Sequence, residues 1–134
     1  MRMPRNEDVL NDYPYIYYDT KNFFVEATNF LITGNDIDLI FLFLSSDVGF
    51  YIFSKFYTGP QFDDTGFRYK KAYLNNLVIP RFDKRTAKQL RAAMTDIVSN
   101  RATVERIFEN LCHFDEREKE TIRAYKRQLL SIDR

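Results

Sequence analysis

The chain is poor in the residue types on which several classes of protein depend. It has one cysteine, Cys112, so no disulfide can form within the chain, and it has one histidine, four glycines and four prolines. The isolated glycines form no glycine-rich phosphate loop, and one histidine with one cysteine is too small a ligand set for a zinc site. So few candidate groups cannot populate an active site. We therefore predict that the chain is not an enzyme and that it needs no cofactor and no metal.

The chain also lacks a long uncharged apolar run. Its first ten residues, MRMPRNEDVL, carry charges from the second position onward, unlike a secretory signal. The most apolar window, residues 37–56, is interrupted by Asp38, Asp47 and Lys55, whereas a membrane span needs roughly 20 largely uncharged residues. We expect a buried helix here, no membrane segment and a cytoplasmic location, which the single cysteine also fits.

What the chain does contain is aromatic side chains and an uneven distribution of charge. Its 134 residues include 13 Phe and 9 Tyr, which is enough for one domain with a hydrophobic core. The net charge is only +1, but residues 66–91 hold eight cations and a single acid, Asp83. These cations are Arg68, Lys70, Lys71, Arg81, Lys84, Arg85, Lys88 and Arg91. A local basic run of this kind favours an anionic partner such as nucleic acid.

The hydrophobic pattern predicts an α+β fold, with a small β-sheet packed on a long buried helix. Residues 13–32, 66–69 and 77–80 are rich in aromatic and β-branched side chains, as strands prefer. Residues 37–57 are apolar on nearly every face, which predicts the central buried helix, and KKAYLNNL at residues 70–77 is either one helical turn or an irregular connection.

The C-terminal part of the chain predicts about three helices. Asp83 or Thr86 would cap the first, Thr103 a short second one, and Asp115 with Glu118 has the spacing of a capping box for the last. The resulting division has three parts: a polar N-terminal segment at residues 1–12, an α+β core at residues 13–99, and a helical segment at residues 100–134.

Three smaller groups of residues have both a chemical and a structural explanation. Asp63 and Asp64 could hold a divalent ion or be solvated loop residues. The tyrosines of residues 13–18 could stack on bases or form a half-buried sheet face. Cys112 and His113 are adjacent, but neighbours on a helix point about 100° apart. For all three groups we prefer the structural explanation.

The block of residues 36–80 resembles a known family. FLFLSSDVGFYIFSKFY followed by GFRYKKAYLNNLVIP is similar to the TaqI-like C-terminal specificity (target-recognition) domain of adenine-specific DNA methyltransferases and restriction–modification enzymes. The later stretch ERIFENLCHFDEREKETI is similar to the family's final helices. The chain departs from the pattern at Ser45, Ser46 and Asp47, where the family favours Asn-Ser-Lys, and at Val78, where it favours proline. It contains neither the Asn-Pro-Pro-Tyr methyltransferase motif nor a nuclease motif.

This resemblance implies a non-catalytic DNA target-recognition fragment of a restriction–modification enzyme, acting in prokaryotic defence. Its implied partners are double-stranded DNA and the methyltransferase or restriction endonuclease domains of a parent enzyme. The matching block assigns Arg68, Lys70 and Lys71 to the DNA side, while Gln61 lies in a loop where bases would be recognised. The basic run adds Arg81, Lys84 and Arg85 as DNA-binding candidates.

The alternative hypothesis is a helical protein–protein assembly module within a larger restriction–modification complex. In that case the C-terminal helices dock onto a partner or form a dimer, and the basic run only balances their acids. The apolar stripe of Ile107, Leu111, Ile122 and Leu129 would then be partly exposed in the isolated chain.

Overall fold

The structure is a computed structural model that describes residues 16–22, 31–57 and 71–132. The side chains of residues 57, 71–73, 126 and 129–132 lie outside this description. The regular elements in the described ranges are α1 Ile37–Ser45, α2 Asp47–Ile52, a π-helical turn Phe53–Tyr57, α3 Lys71–Asn76, α4 Lys84–Ala93, a 3₁₀ turn Met94–Asp96, α5 Ile97–Leu111 and α6 Glu116–Ile132.

The predicted α+β fold is wrong, because the described ranges contain helices and no β-strand. The alternating patterns that suggested strands belong to extended segments that lie against helices. Leu77 and Ile79 pack against the core while Val78 between them is 72% exposed, and Ile16 is likewise packed while Tyr17 is exposed. An extended chain alternates its side chains whether or not a second strand pairs with it. The other predicted strand residues, 13–15, 23–30 and 66–69, lie outside the described residues.

The predicted central helix is broken into two at Ser46. The Ser46 hydroxyl donates to the carbonyl oxygen of Phe43 (2.6 Å) and accepts from the N–H of Gly49 (3.0 Å), so the same side chain ends α1 and caps α2. The two helical stretches meet at an angle of 73°. Gly49 allows this bend, because a Cβ atom there would lie 1.8 Å from the Phe43 carbonyl oxygen.

The core lies where this bent pair meets the C-terminal helices. Its largest buried side chains come from five α-helices and the π-helical turn, and Phe108 of α5 is central among them, with its ring centroid 5.4 Å from that of Phe43 and 6.1 Å from that of Phe82. The buried apolar residues are Leu39, Leu42, Phe43 and Leu44 of α1, Val48 and Phe50 of α2, Phe53 of the π-helical turn, Ala87, Leu90 and Ala93 of α4, Val104 and Phe108 of α5, and Ile122 of α6. The bent pair therefore supplies most of the surface on which the other helices pack.

Three helices follow residue 83, with boundaries that differ from those expected. Asp83 caps α4 through its contact with the Thr86 N–H (2.7 Å), and Asp96, not Thr103, caps α5. The capping box at α6 is confirmed, since Asp115 and Glu118 each accept the other's backbone N–H at 2.8 Å. The division into residues 13–99 and 100–134 stays a prediction, and its boundary lies inside α5.

In the part of the chain that is described, no single helix is long and apolar enough to cross a membrane. Ile37–Ser45 and Asp47–Phe56 reach the required length and composition only together, as a bent pair. Here both stretches contribute buried residues to the core.

Candidate functional site

A groove runs between the N-terminal end of α1 and one side of α4, from the residues just before that helix to its last turn. It is open to solvent and has a volume of about 860 Å³. Its apolar lining is Leu39, Pro80, Phe82, Ala87 and Ala92. Its charged lining is Asp36, Arg81, Asp83, Lys84, Lys88 and Arg91. Cations thus outnumber acids along the walls of an open groove with an apolar floor.

Helix α4 sets the positions of these cations. The Asp83 carboxylate accepts the Thr86 N–H and fixes the first turn, and this hydrogen bond lowers the pKa of Asp83. Ala87, Leu90 and Ala93 turn inward and are buried. Lys84 and Lys88, four residues apart, therefore lie on one exposed ridge of the helix, with Arg85 beside them.

The exposed cations at the start of α4 make no ion pair with any residue in the described ranges. Arg81, Lys84, Arg85 and Lys88 are all exposed, and none of the ion pairs in residues 16–22, 31–57 and 71–132 involves them. Asp83 is their only acidic neighbour in sequence, and its carboxylate is engaged at the helix N-terminus. Four cations within eight residues, without an ion-pair partner among the described residues, form a concentrated positive surface.

Arg91, at the far end of the groove, has a different environment. Its guanidinium binds two carboxylates, with Nη2 2.6 Å from Asp36 and Nε 2.7 Å from Asp38. The hydrogen bond from Arg91 lowers the pKa of Asp38 and raises that of Arg91 itself. Asp36 holds a left-handed backbone conformation (φ 56°) at the α1 N-cap, where its side chain makes no capping bond and points instead to Arg91. These three residues form a clamp that ties the start of α1 to α4.

The acids of the C-terminal helix find their partners on neighbouring turns instead of on α4. Lys119 binds Glu116 (2.9 Å) and Arg127 binds Glu120 (3.1 Å), both within α6. Both pairs are local to α6, so they do not compensate the basic surface of α4.

The buried carboxylate of α5 also has a partner of its own. Glu109, whose side chain is only 4% exposed, receives two hydrogen bonds from Arg123 of α6, at 3.1 and 3.0 Å. This pair joins α5 to α6 and does not reach the basic groove.

The predicted DNA-binding residues fall into three groups. Arg81, Lys84 and Arg85 lie together at the start of α4 and are exposed. The backbone of Lys71 begins α3, but its side chain is not described. Arg68, Lys70 and Gln61 lie outside the described residues, so their assignment stays a prediction.

The environments of Cys112 and His113 fit structural roles and not a catalytic pair. Burial raises the pKa of the Cys112 thiol, which disfavours the thiolate that a nucleophile needs. His113 is exposed, adopts a left-handed φ of 55° and ends α5. In the part of the chain that is described, no three His, Cys, Asp or Glu side chains cluster as metal ligands would.

The tyrosines and the acidic pair can be placed only in part. Tyr18 packs on Phe41 with ring centroids 5.4 Å apart, while Tyr17 is 45% exposed. Tyr13, Tyr15, Asp63 and Asp64 lie outside the described residues.

Two features of this site, Lys88 and the clamp, were not predicted from the sequence. Lys88 belonged to the basic run and could have been chosen by its i,i+4 spacing from Lys84. The clamp had no local signal, because Asp36 and Arg91 are 55 positions apart.

Within the described residues the fold is helical, and its candidate site is a basic groove. No protein-family model, no curated protein and no solved structure matches this chain.

Proposed function

We propose that this chain is a non-catalytic DNA-binding module that contacts duplex DNA with the basic surface of α4. The observation that carries the proposal is the set of four exposed cations, Arg81, Lys84, Arg85 and Lys88, without an ion-pair partner in the described ranges. Unpaired Lys and Arg on one surface gain free energy by displacing counterions from phosphates. The near-zero net charge does not oppose this, because a local field attracts a polyanion.

A role in target recognition within a restriction–modification enzyme is the more specific part of the proposal. It rests on the resemblance of residues 36–80 to the TaqI-like specificity domain. Two observations weaken that resemblance. The sequence departs from the family pattern at residues 45–47 and 78, and the described residues are helical, whereas a sheet was expected. The parent's methyltransferase or nuclease domains would then supply the chemistry.

The alternative, a protein–protein assembly module, would use the C-terminal apolar stripe as its docking surface. Ile122 is 2% exposed, and Ile107 and Leu111 pack against the core, so these three side chains are already used inside the chain. This observation supports DNA binding over assembly as the first hypothesis. Size-exclusion chromatography that found a stable dimer indifferent to DNA would reverse this order.

The test of DNA binding is a salt titration of the full chain against duplex DNA. We expect measurable binding at about 50 mM salt that weakens steeply by about 200 mM, because each phosphate contact adds roughly 0.9 to the slope of log affinity against log salt. The test variant is R81Q/R85Q, which removes two of the four exposed cations and should reduce the slope. Absence of binding to any duplex at the lower salt concentration would refute the proposal.

Selection from a randomised duplex library tests the target-recognition part separately. A recognition domain enriches one sequence motif, whereas a purely electrostatic binder enriches none. Binding without enrichment would leave the DNA-binding proposal standing and remove the target-recognition role.

A further inference from the structure

We infer that the α4 groove holds the sugar–phosphate backbone of one DNA strand and does not discriminate bases. The inference rests on the proposed DNA binding and assigns this part of the interface a positioning role. Base recognition would then belong to another part of the chain.

The charged side chains in the groove suit phosphate. Lys84 and Lys88 are compact point charges on one ridge, separated by four residues of helix, which is a rise of about 6 Å. Phosphates follow one another along a strand with a rise of about 3.4 Å, so the rise between the two lysines corresponds to roughly two phosphate steps. Arg81 lies before the helix and extends the same positive wall.

The described lining of the groove lacks the side chains that recognise adenine or cytosine, while its cations suit phosphate and could otherwise contact only guanine. Among the described lining residues there is no Asn or Gln, the side chains that pair bidentately with adenine. Its two lining acids, Asp36 and Asp83, are occupied by Arg91 and by the α4 N-terminus. Lysines that have no amide or free carboxylate beside them attract the DNA backbone but convey little information about its sequence.

Arg91 is a positioning residue and does not bind phosphate. Its guanidinium is held by Asp36 and Asp38 at 2.6 and 2.7 Å, so its charge is neutralised within the chain. The clamp fixes α1 against α4 and thereby sets the width of the groove. Loss of Arg91 should therefore lower stability and leave the number of phosphate contacts almost unchanged.

The experiment compares the salt dependence of duplex binding between the full chain and the variant K84Q/K88Q. We expect the slope of log affinity against log salt to fall by about 1.8, that is, about 0.9 for each phosphate contact removed. Affinity should fall by the same factor for every duplex sequence tested, so the ratio between preferred and other sequences stays constant. If the double variant loses its fold by circular dichroism, K88Q alone should lower the slope by about 0.9.

The matched control is R106Q/R117Q, which removes two exposed cations from α5 and α6 and should leave the slope unchanged. The variant R91Q should reduce the melting temperature without changing the slope. An unchanged slope in K84Q/K88Q, or a loss confined to one DNA sequence, would overturn the groove assignment while DNA binding stood. Absence of binding by the unaltered chain would overturn both proposals, as would binding to anionic vesicles but not to duplex DNA.

Discussion

At the scale of single residues, His113 ends helix α5 through its backbone conformation and not through its imidazole. The N–H of His113 binds the Asn110 carbonyl (3.2 Å) and the N–H of Phe114 binds the Glu109 carbonyl (3.2 Å), which is the Schellman arrangement. This arrangement requires the left-handed conformation that His113 adopts at φ 55°. Glycine usually holds this position, because a Cβ atom is unfavourable there. The only histidine in the sequence therefore has a structural role.

We predict that H113G stabilises the chain. A left-handed conformation costs an L-residue about 1–2 kcal/mol, and glycine removes this cost. Glycine also loses more conformational entropy on folding, so the free energy of unfolding should rise by only about 1 kcal/mol. Urea denaturation measures it. The control A102G, at an exposed site inside α5, should instead destabilise by about 1 kcal/mol. A loss of stability in H113G would mean that the imidazole makes a contact of its own.

The pair of Glu109 and Arg123 also belongs to this scale. Removing Arg123 leaves a carboxylate that is 4% exposed without its two hydrogen bonds. We expect R123A to cost about 2 kcal/mol, below the roughly 3–5 kcal/mol of fully buried pairs, because the Arg123 side chain is itself half exposed.

The control for this prediction is R127A, which breaks an ion pair whose side chains are 69% and 67% exposed. It should cost less than about 0.5 kcal/mol. Equal effects of the two substitutions in thermal denaturation would show that burial of Glu109 does not determine the cost.

At the scale of elements, the bend between α1 and α2 shapes the whole core. Residues 37–56 are apolar enough to suggest one continuous helix, yet Ser46 ends the first stretch and begins the second. The local signal was present, since serine followed three residues later by glycine can cap a helix through the glycine N–H. Uniform hydrophobicity masked it, because apolar periodicity does not change across the bend.

We predict that G49A strongly destabilises the chain. An added Cβ atom would lie 1.8 Å from the Phe43 carbonyl oxygen and 2.7 Å from its carbon, and both are backbone atoms that cannot rotate away. The two helices must separate, at a cost of about 3 kcal/mol. Chemical denaturation of the variant measures this cost.

The comparison variant is G34A, which tests conformational strain without a clash. Nothing lies within 4 Å of a Cβ atom at Gly34, but its φ of 142° is unfavourable for alanine. It should cost about 1 kcal/mol. A cost for G49A no larger than that for G34A would contradict the close approach of α1 and α2.

At the scale of the whole molecule, local signals predicted more than non-local ones. The caps at Asp83 and at Asp115 with Glu118 were predictable, because each depends on residues three positions apart. The predicted sheet was wrong because a period-2 alternation of apolar residues indicates an extended backbone, whether or not that backbone is hydrogen-bonded to a second strand. The exposed cations of α4 were named from the sequence. Their lack of ion-pair partners among the described residues could not be predicted, since it depends on which cations the acids of α6 bind.

The π-helical turn Phe53–Tyr57 has a consequence for how the chain tolerates changes in length. A π turn accommodates one more residue than an α turn, and each α-helical residue rotates the chain by about 100°. Deleting one exposed residue of the turn, Lys55 or Phe56, can restore an α-helix without removing Phe53 or Ser54, which are buried within the turn. The same deletion would rotate the exit of the chain toward residue 58 by about that angle. Loss of one exposed residue from this turn would therefore change the direction in which the chain leaves it while keeping Phe53 in the core.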